Sequence, residues 1–413
     1  MRQINQQYCQ ALDQQDPLAA LRDNFFLPAD LINMDGNSLG ALPKSTMQRM
    51  QMAIQEEWGT GLIRSWSTAG WFESPTRIGD KIAPLIGANP GEVLVADTTS
   101  VNLFKALAAA LSINKDRSII LSETGNFPTD LYMMQGISTF SKGAIQSKIV
   151  APDAILSSLS EEVAVLLLTH VHYKTAHIKD MNYLTQQAHA KGISVVWDLS
   201  HSVGSIEVDL TEAQADFAVG CGYKFLNGGP GAPAFIYVAK RHQLQANCVL
   251  SGWMGHQDPF AFTDAYIPAN SIERFRCGTP VMLGMVALEN GVDLFQQTSM
   301  AALRKKAIQL SELFIALMAQ ECSTYGFSLA SPTDATKRAG HVAFQHQEGH
   351  AIYQAIKRKN IISDFRVPDV LRFGITPMYT RYIDIYQVAM TIKEVMETRA
   401  WDRPEYRVRA AIT

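Results

Sequence analysis

The sequence has no long hydrophobic run, little excess of charge and few cysteines, and each lack excludes a class of protein. The strongest apolar stretch, residues 163–168, is much too short to cross a bilayer. A formal net charge of −3 gives no basic field for nucleic acid or an anionic membrane. The five cysteines form no C-x-x-C pair, so we expect free thiols in a reducing compartment.

Targeting and linker signals are lacking as well. The polar start MRQINQQYCQALDQQDP does not have the charged residues and apolar run of a signal peptide. We find no internal repeat, low-complexity tract or Pro/Ser-rich linker. With 413 residues, 47% of them hydrophobic, the chain can bury a large core in two or three domain-sized units. These features predict a soluble cytoplasmic protein without a membrane or nucleic-acid partner.

Short apolar runs alternate with helical patterns between residues 90 and 240. Amphipathic segments such as 102–111 and 181–190 lie between several of them. This alternation predicts an α/β unit with a mainly parallel sheet covered on both faces. Its active site should lie beyond the carboxyl ends of the strands. The seven strand candidates are residues 93–96, 118–121, 148–151, 163–168, 193–197, 217–219 and 234–238.

The pattern changes after residue 279. Residues 281–320 are predicted to be mostly helical with breaks, and a smaller α+β region follows, with strands near 341–345 and 370–373. The first 45 residues have no obvious core of their own, so we expect them to pack on this C-terminal region. The prediction is therefore a large α/β domain of residues 46–285 and a small α+β domain of residues 1–45 plus 286–413.

A carboxylate and a lysine follow two of the strand candidates. Asp198 comes directly after the run 193–197, where a carboxylate can hold a protonated pyridine nitrogen. An aspartate at a strand end is otherwise a cap or turn residue. Lys224 lies among glycines and apolar residues, an unusual setting for lysine, and partial burial would make its amine a nucleophile for an aldehyde. The alternative is a surface lysine in a glycine-rich turn.

Two further segments and a histidine also fall at strand ends. Thr99 and Ser100 lie where a strand closes and a helix opens, a place where hydroxyls and free N–H groups bind phosphate. A plain helix cap is the alternative. Phe127 could stack on a pyridine ring, and is otherwise an ordinary loop aromatic. His201 is a candidate contact for the ring or the phosphate, and is otherwise structural.

The order of these elements, phosphate turn, aromatic loop, strand-end aspartate and lysine, resembles that of fold-type I pyridoxal-phosphate (PLP) enzymes. Within this class the chain resembles the kynureninase family over nearly its whole length. The resemblance implies a large domain around a mainly parallel seven-stranded sheet and a smaller α+β domain. Five segments carry it: M-D-G-N-S-L-G at 34–40, T-S-V-N at 99–102, F-P-T-D at 127–130, D-L-S-H-S-V-G at 198–204 and Y-K-F-L-N-G-G at 223–229.

The resemblance also implies roles for the matching residues around the cofactor. Lys224 would carry PLP as a Schiff base, Asp198 would pair with the ring nitrogen, and Phe127 would stack on the ring. The other residues expected near the cofactor or its phosphate are Thr99, Ser100, Pro128, Thr129, Asp130, Thr169, His201 and Tyr223.

Further matches imply a shared site and a substrate pocket. Trp253 and Thr279 match family residues that reach the cofactor from a second subunit, which implies a homodimer. Arg372 matches the arginine that grips the substrate α-carboxylate, a contact suited to a guanidinium fork, and is otherwise a surface ion-pair residue. Ser38 and Trp66 match the substrate pocket, and no metal is expected. The aryl pocket varies within the family, so the preference between kynurenine and 3-hydroxykynurenine stays open.

The reaction implied by the resemblance is hydrolysis of the Cβ–Cγ bond of L-kynurenine, with its 3-hydroxy form as a second candidate substrate. The products would be anthranilate or 3-hydroxyanthranilate and L-alanine, in tryptophan catabolism and NAD biosynthesis. Lys224 and Tyr223 are the expected catalytic residues. Lys224 would move the Cα proton, and Tyr223 would protonate the departing β-carbon.

Three other functions remain as alternatives. A cysteine desulfurase usually carries histidine before its lysine, where this chain has Tyr223, and it needs a catalytic cysteine, for which Cys322 is the only candidate after Cys277. An aminotransferase would differ by transferring the amino group to a keto acid. A catalytically dead scaffold is disfavoured, because decay would not spare Asp198 and Lys224 together with an arginine at 372.

Overall fold

A computed structural model describes residues 4–408 of the chain. The strands are β1 (Phe25–Phe26), β2 (Ile32–Asn33), β3 (Leu42–Pro43), β4 (Val93–Val95), β5 (Ile119–Glu123), β6 (Gln146–Val150), β7 (Val163–Thr169), β8 (Ser194–Asp198), β9 (Phe217–Gly220), β10 (Phe235–Val238), β11 (Ser328–Leu329), β12 (His341–Gln345), β13 (Ile361–Ile362), β14 (Asp364–Arg366) and β15 (Val370–Gly374).

The α-helices alternate with these strands in the first half of the chain and cluster in the second. A π-helix, Ala53–Gly61, directly continues the second of them. The α-helices are α1 (Gln6–Gln14), α2 (Lys44–Met52), α3 (Ser65–Thr68), α4 (Ser74–Ile82), α5 (Thr99–Ile113), α6 (Pro128–Phe140), α7 (Met181–His189), α8 (Met282–Asp293), α9 (Met300–Glu321), α10 (Gly349–Lys357) and α11 (Tyr382–Glu397).

Seven strands form the central sheet in the order β4-β10-β9-β8-β7-β5-β6. The strand β10 is antiparallel to both of its neighbours, and the pairs from β9 to β6 are parallel. The predicted mainly parallel seven-stranded sheet is therefore confirmed. The predicted strand limits differ from the structure by a few residues at most, as expected where strand ends are set by hydrogen bonding.

Alternate side chains of each central strand enter two different cores. In β7, Val165 and Leu167 face the core that includes α5 and α6, whereas Leu166 and Leu168 face the core that includes α4 and α8. Every residue of β7 is buried, which is why its sequence is continuously apolar rather than alternating. The sheet is thus covered on both faces, as the sequence predicts.

A second, four-stranded antiparallel sheet lies in the C-terminal part, in the order β11-β12-β15-β14, with its own core shared with α9, α10 and α11. The N-terminal segment joins this part: β2 pairs in parallel with β13, and α1 packs against α11. The first residues therefore contact the C-terminal region, as expected. The domain limits at residues 45 and 285 stay a prediction.

The register of the parallel strands fixes where the site can form. Thr169, the last residue of β7, is paired with Asp198, the last residue of β8, and Asp198 is paired in turn with Val219 of β9. Side chains that follow these strands therefore meet at one edge of the sheet. No helix in residues 4–408 is long and apolar enough to cross a membrane.

Candidate active site

A cavity of about 260 Å³ opens at the carboxyl edge of the parallel strands, between the N-termini of α5 and α6. Most of the residues that the sequence predicted for the cofactor line this cavity together. They are Thr99, Ser100, Phe127, Thr129, Asp130, Thr169, Asp198, His201, Tyr223 and Lys224. Pro128 begins α6 between two of these lining residues.

Lys224 lies in the loop after β9 and is only 9% exposed. Its Nζ donates to Nε2 of His201 across 3.0 Å, and it lies 5.9 Å from the ring centre of Phe127 and 5.8 Å from that of Tyr223. Burial, and then the positive charge of Lys224, lower the pKa of His201 well below its usual 6.5. The histidine is therefore neutral, and its Nε2 can accept a hydrogen bond from the lysine.

Two buried carboxylates face this single lysine. Asp198 is 3% exposed, and its Oδ1 accepts the Ser200 backbone N–H at 2.8 Å. Burial raises the pKa of Asp198, although the Ser200 bonds and Lys224 oppose that shift. Burial and the neighbouring Asp198 raise the pKa of Asp130 well above 3.8, and Thr169 donates to Asp130 across 3.1 Å. The single positive charge of Lys224 therefore cannot neutralise both Asp198 and Asp130.

The opposite end of the cavity is the first turn of α5. The N-cap is Thr98, whose Oγ1 accepts the Val101 N–H at 3.3 Å. The next two residues, Thr99 and Ser100, bring hydroxyls and first-turn N–H groups, which have no partner inside the helix. The helix dipole adds partial positive charge at this end, so the turn suits a phosphate.

The side chains around the cavity match the chemical groups of PLP. A protonated pyridine nitrogen against Asp198 would offset the cost of burying that carboxylate. His201 adds a buried Nδ1 that has no hydrogen-bond partner among the described residues. The phosphate turn, the ring of Phe127 and the amine of Lys224 surround the same small cavity.

Solved structures share this architecture at low sequence identity. A cysteine desulfurase from Thermococcus onnurineus NA1 gives a TM-score of 0.78 at 18% identity and covers 92% of this chain and 98% of its own. The structure of C-DES with glycine covalently linked to its PLP cofactor gives 0.76 at 16% identity, covering 90% and 98%. The chain therefore has the fold of the fold-type I PLP enzymes, with the site just described at the edge of its sheet.

Relatives with much higher identity define the family. A kynureninase from Burkholderia pseudomallei (strain K96243) is 47% identical over 408 residues, which are 98% of each chain. A kynureninase from Pseudomonas fluorescens is 44% identical over 410 residues, 98% of this chain and 99% of that one. The model of the kynureninase C-terminal domain matches residues 303–392. The chain belongs to the kynureninase family.

The predicted substrate arginine is already held by protein groups. Arg372 of β15 is 1% exposed, and its Nε and Nη2 both donate to the carboxylate of Asp364, the Nε bond being 2.7 Å long. Its Nη1 donates to the carbonyl of Tyr173. Ser38 donates to Asp364 across 2.6 Å and accepts from Arg372 at 3.3 Å. Arg372 and Ser38 are therefore joined in one network.

Ser38 and Arg372 are not among the residues that line the cavity, and three more predicted residues lie outside this lining as well. Trp66 packs edge-to-face on Trp71, with ring centres 5.9 Å apart. Trp253 is exposed and stacks on Phe262, and Thr279 is exposed as well. The exposure of Trp253 and Thr279 agrees with the predicted contact of both residues with a second subunit. That contact stays a prediction.

Several residues of the site were not predicted from the sequence. Tyr173 lines the cavity, and its ring meets that of Phe127 edge-to-face at 5.3 Å. Asn126 accepts a hydrogen bond from Thr169. Asp364 orients the arginine. Tyr173 follows β7, so the rule that sites lie beyond strand ends could have found it, whereas no local signal marks Asp364.

Proposed function

We propose that the chain hydrolyses the Cβ–Cγ bond of L-kynurenine to anthranilate and L-alanine, as a step of tryptophan catabolism that leads toward NAD biosynthesis. The observation that carries this proposal is the 44–47% identity to kynureninases along 98% of the chain. The site agrees with it, because a buried lysine and a buried carboxylate face one cavity.

Each part of the cofactor has a fitting partner among the lining residues. Thr99, Ser100 and Tyr223 would hold the phosphate, Phe127 would cover the ring, and Lys224 would bind the aldehyde carbon. Asp198 would keep the ring nitrogen protonated. Bound in this way, PLP withdraws electrons from the carbon atoms next to the substrate amine. The protein groups then have to hold the substrate and move protons.

Lys224 and Tyr223 are suited to move those protons. Neutral His201 accepts a hydrogen bond from Lys224, which orients the amine in the cavity. Burial raises the pKa of Tyr223, so the phenol keeps its proton at neutral pH and can act as a donor. We propose that Lys224 removes the Cα proton and that Tyr223 protonates the β-carbon.

The substrate would be held at both of its ends. We propose that the guanidinium of Arg372, which two bonds to Asp364 orient, attracts the α-carboxylate by its charge. We propose Ser38 and Trp66 as further residues of the substrate pocket, Ser38 on the side of Arg372, to which it is bonded. L-Kynurenine is the proposed substrate, and 3-hydroxykynurenine is the second compound to assay, since it differs by one hydroxyl on the same ring.

The nearest rival function is that of a cysteine desulfurase, for which Cys322 is the candidate thiol. Cys322 is 1% exposed in the core of the C-terminal part, and burial raises its pKa to about 12. A desulfurase needs an accessible, reactive thiolate. The desulfurase structures resemble this chain at 18% identity or less, which concerns the fold alone.

We further propose a cytoplasmic homodimer. All five cysteines are unpaired, as suits a reducing compartment. Large apolar side chains are exposed on the π-helix and the segment after it, among them Trp58, Leu62 and Ile63, and on the loop that carries Trp253 and Phe262. A second copy would cover such surfaces. It would also bring Trp253 and Thr279 to the neighbouring active site.

The decisive test is to mix the purified protein with L-kynurenine, with and without added PLP, and to follow anthranilate fluorescence. We expect PLP-dependent anthranilate and an equal amount of alanine. The Lys224→Ala variant should lose both turnover and the visible absorbance of the bound cofactor. Wild-type protein saturated with PLP that releases sulfide from cysteine, or transfers the amino group to a keto acid, without forming anthranilate would overturn the proposal.

A further inference from the structure

Two cysteines that the proposed reaction does not use lie together beside the active site. Cys248 and Cys277 are far apart in sequence, but both thiols donate hydrogen bonds to the carbonyl oxygen of Leu250, with sulfur-to-oxygen distances of 3.8 and 3.2 Å. The Cys248 thiol also hydrogen-bonds to Cys277. Their segments touch again nearby, where a Cβ on Gly252 would come within 1.7 Å of the Cys277 carbonyl oxygen. The two thiols are therefore neighbours held by backbone contacts.

The surroundings of the pair favour a thiolate on one member. The hydrogen bond from Cys248 and the charge of Lys105 lower the pKa of Cys277 to about 7, although burial and Asp97 oppose them. Lys105 is fully buried and donates to Asp97 and to a backbone carbonyl. Tyr266 also faces the pair. A partly exposed thiolate next to a cation is the setting in which cysteines react with oxidants.

The other three cysteines lack these features. Cys9, Cys221 and Cys322 are at most 2% exposed, and burial raises the pKa of each of them. Both members of the pair, by contrast, are partly exposed. A small oxidant should therefore select the pair, and within it Cys277.

We propose that Cys277 and Cys248 are a peroxide-sensitive pair that closes to a reversible disulfide within one chain. The Cys277 thiolate attacks hydrogen peroxide, its sulfur gains a hydroxyl as the O–O bond breaks, and hydroxide leaves. The Cys248 sulfur then attacks the Cys277 sulfur. The S–S bond forms, the S–O bond breaks, and the hydroxyl departs as water with the Cys248 proton. Two thiols are oxidised by two electrons, and one peroxide is reduced.

The disulfide would act on the site through the two segments that it joins. Cys277 stands close before Thr279, and Leu250 stands close before Trp253. The thiolate of Cys277 also faces Lys105, which is bonded to Asp97 next to the phosphate turn. Closing the bond removes that negative charge and moves both segments. This consequence for turnover, unlike the disulfide itself, rests on the proposed function of Trp253 and Thr279.

The test treats the PLP-loaded protein with hydrogen peroxide and maps its peptides without reduction. We expect an intrachain Cys248–Cys277 disulfide, the loss of two free thiols, and recovery of both by dithiothreitol. Cys277 should be consumed roughly tenfold or more faster than Cys9. In Cys248→Ala, which has no second thiol, Cys277 should proceed to sulfinic acid. In Cys277→Ala, Cys248 should react slowly. Ser251→Ala lies in the same segment and should behave like wild type.

A second measurement separates this proposal from the proposed function. The alkylation rate of Cys277 against pH should have its midpoint near 7 in wild type and a higher one in Cys248→Ala, because the stabilising hydrogen bond is lost. The proposal is refuted if peroxide gives crosslinks between chains, or oxidises the buried cysteines as fast as Cys277. It is also refuted if the midpoint stays unchanged. A disulfide that forms in a protein without kynurenine turnover would refute only the proposed function.

Discussion

At the scale of single residues, Tyr223 combines a buried phenol with a place next to the reactive lysine. We expect Tyr223→Phe to slow the formation of alanine by roughly a hundredfold, because general acid catalysis contributes factors of this size. Rapid-mixing kinetics would locate the slow step after substrate binding. Tyr132→Phe, at an exposed tyrosine, is the control and should match wild type. An unchanged rate in Tyr223→Phe would remove this residue from the proton transfer.

Arg372 offers a test of substrate binding. Lysine at this position keeps the charge but cannot make the two parallel bonds to Asp364 or to a carboxylate. We therefore expect Arg372→Lys to raise KM for L-kynurenine about tenfold or more, with a smaller change in kcat. Steady-state kinetics at saturating PLP would measure both. An unchanged KM would contradict the proposed role, provided that thermal unfolding shows an intact fold.

Sequence features of single residues predicted the cofactor side of the site better than the substrate side. Lys224, Asp198 and the phosphate turn each follow or precede a recognisable strand, so their chain positions bring them to one edge. Tyr173 and Asp364 are placed by the contact between β15 and the loop after β7. Such a contact depends on how two separate parts of the chain pack, and no local pattern records it.

At the scale of elements, α8 is packed directly on the loop that carries the lysine. A Cβ on Gly291 would come within 2.2 Å of the Leu226 carbonyl oxygen. We expect Gly291→Ala to lower the free energy of unfolding by a few kcal/mol, about 1–3 for an overpacked contact, and to weaken PLP binding because the loop must shift. Gly136→Ala, in α6 with no atom near its Cβ, should instead gain about 0.5–1 kcal/mol. Urea unfolding and cofactor titration measure the two effects.

A buried carboxylate joins several elements at the amino edge of the sheet. Asp216, just before β9, accepts from His189, His242 and Arg241 and from the backbone N–H of Val195 in β8. Burial alone would raise its pKa, but the hydrogen bonds from the histidines outweigh it and hold the pKa well below 3.8. This one side chain therefore ties α7, β8 and β9 to the turn after β10.

Asp216→Asn tests that cluster. We expect a loss of roughly 2–4 kcal/mol in the free energy of unfolding near neutral pH, since a buried charged partner is removed. Because the folded-state pKa is lowered, the stabilisation by the carboxylate is complete above 3.8 and is lost as the pH falls below it. Urea titrations at neutral and acid pH should show the difference between wild type and variant shrinking in acid. A constant difference would contradict this account.

The elements themselves show which sequence patterns were informative. Fully buried strands such as β7 and the long helix α9 were predicted from their apolar runs and helical periodicity. The short strands β1, β2, β3 and β13 were not predicted, because two residues are too few to carry a period. The π-helix was missed as well.

At the scale of the whole molecule, the exposed apolar side chains predict self-association. Ile63 is 78% exposed and Phe262 is 74% exposed, although both are large and apolar. Light scattering should give a mass of twice 45.6 kDa. We expect Ile63→Glu to shift the protein toward monomer at low concentration, because the charge would have to be buried in the interface. Gln135→Glu, at an exposed polar residue of α6, is the control. Monomeric wild-type protein would refute the homodimer.

The parallel pairing of β2 with β13 has a consequence for synthesis on the ribosome. Ile32 leaves the exit tunnel long before its partner Ile361 has been translated. The strands of the central sheet all lie between the two, so that sheet can assemble first, as units do during translation. Until β13 and α11 have been translated, the apolar side chains of α1 and β2 lack the partners on which they pack. This early segment therefore stays open to a chaperone until residue 361 has been translated.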